Sequence, residues 1–317
     1  MNNSLRNVLE SANSIGITGH VRPDGDCLGS CMTLYLYIKR NYPEKAVTLY
    51  LEEPPKSIRI FPEVSDIDST FTAPSEPFDL FVVLDCSSAD RFPAAEAMFR
   101  AAKNTFVVDH HMTNSGFSEN AVVVPDASST CEVLYGLLED EKIDTEMATA
   151  LYMGIIHDTG IFKYSACKES TMQVAGKMLS KGVNAQKLID ETFYQKSYVQ
   201  NRLIGYAVLN SELKLDGKMI VSKVSLSDMQ RFEATPADTE GTIDQLRLTR
   251  GVEVAVFARE DEEQTYKFSL RAVSYVNVAK VCEAFGGGGH RFAAGCTIHG
   301  DYEEILEKII SLIQLQL

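Results

Sequence analysis

Short apolar runs alternate with longer amphipathic stretches along the first half of the chain. SIGITG (14–19), AVTLYL (46–51), FDLFVVL (78–84), TFVVD (105–109) and AVVV (121–124) are of strand length and rich in Val, Ile, Leu and Phe. Several lack the apolar–polar alternation of a half-exposed sheet, as strands buried on both faces of a parallel sheet do. Residues 27–41, 92–103 and 130–141 between them carry helical patterning. This βαβ rhythm predicts an α/β domain with a doubly wound, mostly parallel sheet over residues 1–188.

From about Glu146 to Asn210 the pattern is helical. STMQVAGKMLSKG closes on Gly182, where a helix C-terminus favours glycine. The mixed segment 186–213 reads as a bridge, with residues 189–213 assigned to a helical linker. Beyond it the pattern starts afresh. MIVSKVS (219–225), VEVAVFAR (252–259), TYKFSLRA (265–272) and CTIH (296–299) read as strands. Residues 240–249, 277–285 and 302–315 read as helices, and EDEEQ (260–264) as a charged turn. A smaller α+β domain is expected over residues 214–317.

Composition adds limits to this outline. With 317 residues the chain can hold two domains, and 45% hydrophobic with 23% charged residues is ordinary globular usage. No apolar stretch approaches the roughly 20 residues that cross a bilayer. MNNSLRNVLESANS does not read as a secretory signal. A cytoplasmic location without membrane association is expected. Seven cysteines with no CxxC pair suggest reduced, mostly buried thiols. The net charge of −14, without any basic run, argues against long duplex nucleic acid as a partner. A polyanionic substrate would have to be short and held locally.

Ligands of open α/β sheets bind beyond the carboxyl ends of the strands. The first strand runs into GHVRPDGDCLGS (19–30), which supplies His20, Asp24 and Asp26. FVVL runs into Asp85, TFVV into Asp109, His110 and His111, and Asp158 ends the helical segment in GIIHDTGIF. Singly these are helix caps, surface histidines or turn formers. His157 reads as a core histidine with a hydrogen bond, and His299 as a surface residue. Together, so many acids at one edge are costly to bury unless divalent cations offset them. Carboxylates with a few imidazoles suit Mn²⁺ or Mg²⁺ better than structural zinc, and six ligands suit two ions. FGGGGHRFAAG (285–295) lacks the Lys-Ser/Thr of a Walker loop. It is either a flexible connection or a place where backbone N–H groups approach an anion. Arg271 is either a rim charge or a phosphate contact.

HVRPDGD, VVLDCS, VVDHHMTN and IIHDTGIF together resemble the four motifs of the DHH phosphoesterase superfamily, in order. FSLRA followed by FGGGGHRFAAG resembles its DHHA1 domain. The likeness covers nearly the whole chain, which is similar in layout to the short bifunctional oligoribonucleases and 3′-phosphoadenosine-5′-phosphate (pAp) phosphatases. The resemblance implies one Mn²⁺ (or Mg²⁺) on His20, Asp24 and Asp85, and a second on Asp26, Asp85, His110 and Asp158. Gly25 would let its flanking carboxylates turn to different ions. His111 would face the scissile phosphate, and Asp109 would orient a histidine. Arg271, Gly287, Gly288, Gly289 and His290 would bind substrate. The implied reaction is two-metal hydrolysis, by in-line attack of a bridging hydroxide, of short RNA, linear dinucleotides or pAp. Cleavage of a cyclic dinucleotide is the alternative, and a non-catalytic nucleotide-binding regulator a further one. The layout is compatible with a homodimer.

Overall fold

The computed structural model describes residues 4–317, which divide between Gln195 and Lys196 into two compact units. The first unit holds five strands: β1 (Ser14–Thr18), β2 (Ala46–Tyr50), β3 (Leu80–Leu84), β4 (Asn104–Asp109) and β5 (Ala121–Val123). All pair in parallel, in the order β2-β1-β3-β4-β5. Its helices are α1 (Ser4–Ser11), α2 (Gly25–Asn41), α3 (Pro93–Ala101), α4 (Thr130–Tyr135), α5 (Thr145–Asp158), α6 (Glu169–Ser180) and α7 (Ala185–Ile189). Ile15, Ile17, Leu80, Val82, Leu84, Phe106 and Val108 share one core with α2 and α5. Phe81, Val83 and Val107 point into a second core with Phe92 and Phe99. Burial on both faces is why these strands read as continuous apolar runs. Strand order reverses between β1 and β3, and that is where a crevice opens in such sheets.

Helices α2 and α5 meet closely because glycine faces the contact. A Cβ at Gly29 would lie 2.5 Å from the Ala150 carbonyl oxygen, and one at Gly154 would lie 2.6 Å from Asp26 Oδ1. Helix α6 ends where expected, with Gly182 at φ +95° donating to the Leu179 carbonyl. Helix α4 is shorter than its pattern suggested. It stops at Tyr135 with Gly136 at its C-cap, and only a short 3₁₀ turn follows at Asp140–Lys142.

The second unit carries α8 (Tyr198–Leu209), β6 (Glu212–Lys214), β7 (Met219–Val224), α9 (Leu226–Arg231), α10 (Thr242–Arg247), β8 (Val254–Glu262), β9 (Thr265–Ala272), α11 (Val278–Glu283), β10 (Gly288–His290), β11 (Ala293–His299) and α12 (Tyr302–Gln314). Its mixed sheet runs β10-β11-β9-β8-β7-β6. On one face Phe268, Leu270, Val254 and Val256 pack with Ile305, Ile309 and Ile313 of α12. On the other, Ile220, Ala255 and Phe257 pack with Leu203, Ile243 and Leu246. The segment expected as one linking helix is therefore divided. Residues Asp190–Tyr194 form a π turn of the first unit, whereas α8 buries Leu203 and Ala207 in the core of the second. Strands β6 and β10 escaped the sequence pattern because three residues are too few to show a period.

All seven cysteines are unpaired, and Cys167 alone among them is not buried. No helix among the described residues is long and apolar enough to cross a membrane. Overpacking at Gly29 cannot relax, since its neighbour is backbone. Gly29→Ala should cost about 1–3 kcal/mol, read as a lowered denaturation midpoint; an unchanged midpoint would show that the α2–α5 contact tolerates a methyl group.

Candidate metal centre

Three strand ends and two helix ends converge at the crevice. After β1 comes His20, and Asp24 then caps α2, accepting from the amides of Asp26 and Cys27 at 3.1 Å each. Asp26 sits in the first turn of α2 and is fully buried. Asp85 follows β3 with φ +59°, a left-handed conformation that aspartate tolerates better than most residues. Asp109 closes β4, His110 and His111 follow it, and Asp158 is the last residue of α5.

Asp85 is the hub, with its side chain 3% exposed. Its Oδ2 lies 3.4 Å from His20 Nε2, while its Oδ1 lies 3.7 Å from both His110 Nε2 and His111 Nδ1. The two oxygens thus face His20 on one side and the His110–His111 pair on the other. His110 Nε2 is 3.1 Å from Asp158 Oδ2, and donor atoms of Asp26, His110 and Asp158 all fall within 4.8 Å of one another. Asp24 stands at the mouth with 58% of its side chain exposed, 3.7 Å from His20 Nε2. Buried Asp109 accepts from His111 Nδ1 at 2.7 Å through Oδ1 and from Asn114 Nδ2 at 2.7 Å through Oδ2. This fixes His111, whose side chain is 41% exposed. The expected ligands and His111 therefore come together.

Among the described residues no lysine or arginine pairs with Asp24, Asp26, Asp85 or Asp158. Imidazoles carry the compensating charge instead. Burial disfavours a protonated His20, but hydrogen bonds to Asp24 and Asp85 outweigh it and push its pKa up to about 12. Burial likewise opposes and Asp158 favours a charged His110, which is pushed up to about 10. Burial, with Asp85 close by, drives the Asp26 carboxyl well above its usual range, and burial also raises Asp158. Such a site holds protons where it lacks a cation, and its acid-and-imidazole donor set fits a divalent ion.

The other predicted substrate contacts lie in the second unit. Strand register puts Arg271 of β9 beside Ala293 of β11, and Ala293 beside His290 of β10. The glycine run is a packed edge strand and not a flexible connection. A Cβ at Gly287 would meet the Gly295 carbonyl oxygen at 2.4 Å, and one at Gly289 would meet the Ala293 oxygen at 2.5 Å. Gly288 alone of these three faces open space.

Residues 14–155 match the DHH family N-terminal domain, and residues 216–315 match the DHHA1 domain. The chain belongs to the DHH/DHHA1 phosphoesterase family. It is 28% identical over 312 residues to the bifunctional oligoribonuclease and PAP phosphatase NrnA of Thermus thermophilus, covering 96% of this chain and 90% of that one. It is 25% identical over 304 residues to the NrnA of Bacillus subtilis, covering 94% of each. Among solved structures it resembles an exopolyphosphatase-related protein from Bacteroides fragilis at a TM-score of 0.86 and 25% identity, covering 98% and 94% of the two chains.

Several DHH residues that build the site were not singled out in the sequence. The amides of Thr130 and Cys131 donate to Asp26 at 2.6 and 2.9 Å, and Thr130 Oγ1 donates to Asp85 Oδ1 at 3.0 Å. The stretch SST (128–130) before an apolar run was the available signal, since such residues begin helices. Cys27, expected as a core thiol, also brings its sulfur within 4.8 Å of donor atoms of His20 and Asp85. Gly25 also has a packing reason: a Cβ there would lie 2.2 Å from the His157 ring. His157 stacks on Phe193 at 4.4 Å with its Nε2 buried and unpaired, so the expected hydrogen bond is missing at that atom. Burial pulls its pKa down to about 4 and keeps it neutral.

Cation binding must expel the protons of His20 and His110, whose pKa values are pushed up to about 12 and about 10. Divalent-cation affinity should therefore rise with pH from neutrality towards about 10, the His110 value. Calorimetric titration in buffers of different ionisation enthalpy should report about one or more protons released per cation; no release would contradict the protonated cation-free site.

Proposed function

We propose that this chain is a metal-dependent phosphoesterase that hydrolyses short oligoribonucleotides, linear dinucleotides and pAp. The observation that carries this reading is Asp85, whose two carboxylate oxygens are aimed at His20 and at the His110–His111 pair within a site that no lysine or arginine among the described residues neutralises. The near full-length likeness to two proteins named as bifunctional oligoribonuclease and PAP phosphatase supports the substrate class. The carboxylate-rich set favours Mn²⁺, with Mg²⁺ as the other candidate.

In this reading His20, Asp24 and Asp85 hold one cation, and Asp26, Asp85, His110 and Asp158 hold the other. Two ions so placed would supply an activated water and neutralise charge on the phosphoryl oxygens. The protein's own part is positioning. Backbone amides lock Asp26, the Thr130 hydroxyl holds Asp85, and Asp109 orients His111 with its ring partly open to solvent. The His111 hydrogen bond to Asp109 raises its pKa, so it can present a cationic N–H to a phosphoryl oxygen. On the second unit, Arg271 and His290 share a sheet face and can grip a further phosphate. Unpaired cysteines, six of them buried, suit a reducing compartment, and we place the enzyme in the cytoplasm.

A substrate panel with Mn²⁺ tests the assignment. The protein should convert pAp to adenosine monophosphate and short linear RNA to mononucleotides, ahead of longer RNA. Preference for a cyclic dinucleotide would replace this reading with the alternative, and tight nucleotide binding without turnover would favour a regulator. Asp85→Asn keeps a residue that accepts the left-handed backbone while removing the charge. It should lower kcat/KM by about 10²–10³-fold or more with the circular dichroism spectrum unchanged; activity close to wild type in Mn²⁺ would refute the bridging role.

A further inference from the structure

One face of the second unit's sheet packs against α8, α9 and α10 over β7 and β8, with α10 also reaching β9. Register sets out what the rest of that face presents, because directly paired residues point to the same side. One row is Arg271, Ala293 and His290. The next is Ser269, Gly295 and Gly288, and the one after is Lys267 and Thr297. Two cationic rows thus flank a row with almost no side chains. Lys267 stands four residues from Arg271, about 14 Å along the strand, and its flexible stem can close part of that distance.

A cavity of about 590 Å³ opens here, lined by Arg259, Lys267, Ser269 and Arg271 on the sheet and by Glu240 and Asp244 opposite. Arg259 is already engaged. It grips Asp261 through Nε at 2.5 Å and Nη2 at 3.1 Å, and its Nη1 holds the Pro236 carbonyl and Thr239 hydroxyl at 3.1 Å each. It therefore braces the loop that walls the cavity. Arg271 spends one donor, on the Leu270 carbonyl at 3.1 Å. Lys267 is exposed, and among the described residues its ammonium has no hydrogen-bond or ion-pair partner. The acidic side groups Glu240 and Asp244 can accept from sugar hydroxyls or a base amino group, but they oppose a ligand charged all round.

We propose that Lys267 forms a second anion subsite, so that this sheet takes a nucleotide bearing two phosphate groups: one at Arg271 and His290, the other at Lys267, with the nucleoside over the Ser269–Gly295–Gly288 row. The choice of ligand rests on the proposed function; the subsite itself does not require catalysis. It also gives the second unit a means of preferring nucleotides over bare polyphosphate.

Calorimetry on the full chain in EDTA, where hydrolysis is blocked, reads it directly. The probes are pAp, adenosine 5′-monophosphate and tripolyphosphate. Wild type should bind pAp more tightly than the monophosphate. Lys267→Gln should weaken pAp binding about tenfold, as loss of a charge-assisted contact does, while leaving the monophosphate nearly unchanged, and Lys267→Arg should restore it. The inference is overturned by no pAp binding in wild type, by unchanged pAp affinity in Lys267→Gln, by equal weakening of both nucleotides, or by tripolyphosphate binding as well as pAp. A protein that shows the Lys267-dependent gain yet hydrolyses no substrate of the panel would keep this subsite and sink the proposed function.

Discussion

The structure depends on holding three carboxylates, those of Asp26, Asp85 and Asp158, within reach of one another at the edge of a buried sheet. Left alone, such charges repel and lose their hydration, and each change in that balance is worth kilocalories. The fold does not avoid the cost. It prepares the groups instead, by anchoring Asp26 to two backbone amides and Asp85 to the Thr130 hydroxyl and by setting His110 between Asp85 and Asp158. The acids in turn hold the pKa values of His20 and His110 far above that of a free imidazole, up to about 12 and about 10. A site organised before its ions arrive has little reorganisation left to do when they bind, and this is the condition under which electrostatic stabilisation of a phosphoryl group is strongest.

That preparation reaches well into the scaffold. Asp26 can meet Asp158 because α2 and α5 pack closely, with Gly29 against α5 backbone, Gly154 against the Asp26 side chain and Gly25 against the His157 ring. The same approach gives Asp26 the two amides at the start of α4, residues 104 and 105 positions away in the chain. The left-handed backbone at Asp85 has a comparable purpose. It turns the side chain so that one oxygen faces His20 and the other the His110–His111 pair, and strain of this kind persists where surrounding contacts over-determine it.

These features sort themselves by how local their signal is. The parallel sheet was legible because burial on both faces leaves continuous Val, Ile and Phe runs, and the strand-end acids were legible because each follows its own run. The glycines of the α2–α5 contact were not, since nothing near Gly29 or Gly154 in the sequence announces a neighbour on another helix. The Thr130 and Cys131 amides were hidden for the same reason: a backbone donor has no sequence signature until its partner is known. His157 looked like a core histidine and is neutral, but neither its unpaired Nε2 nor its contact with the Phe193 ring could be read from its local sequence. In the second unit Arg271 and His290 stood out by motif, whereas Lys267 gained meaning only when register placed it on the same face.

Net charge bears on both units. At −14 the protein as a whole repels a polyanion, so attraction has to come from discrete places. The metal centre offers such a place once cations replace its protons, and the Arg271 and Lys267 rows offer another. A phosphate that falls outside them meets acidic surface and gains nothing. Under the proposed function, each nucleotide beyond the reach of those contacts would add repulsion without a compensating partner, and short substrates would be favoured by where the positive charge is placed.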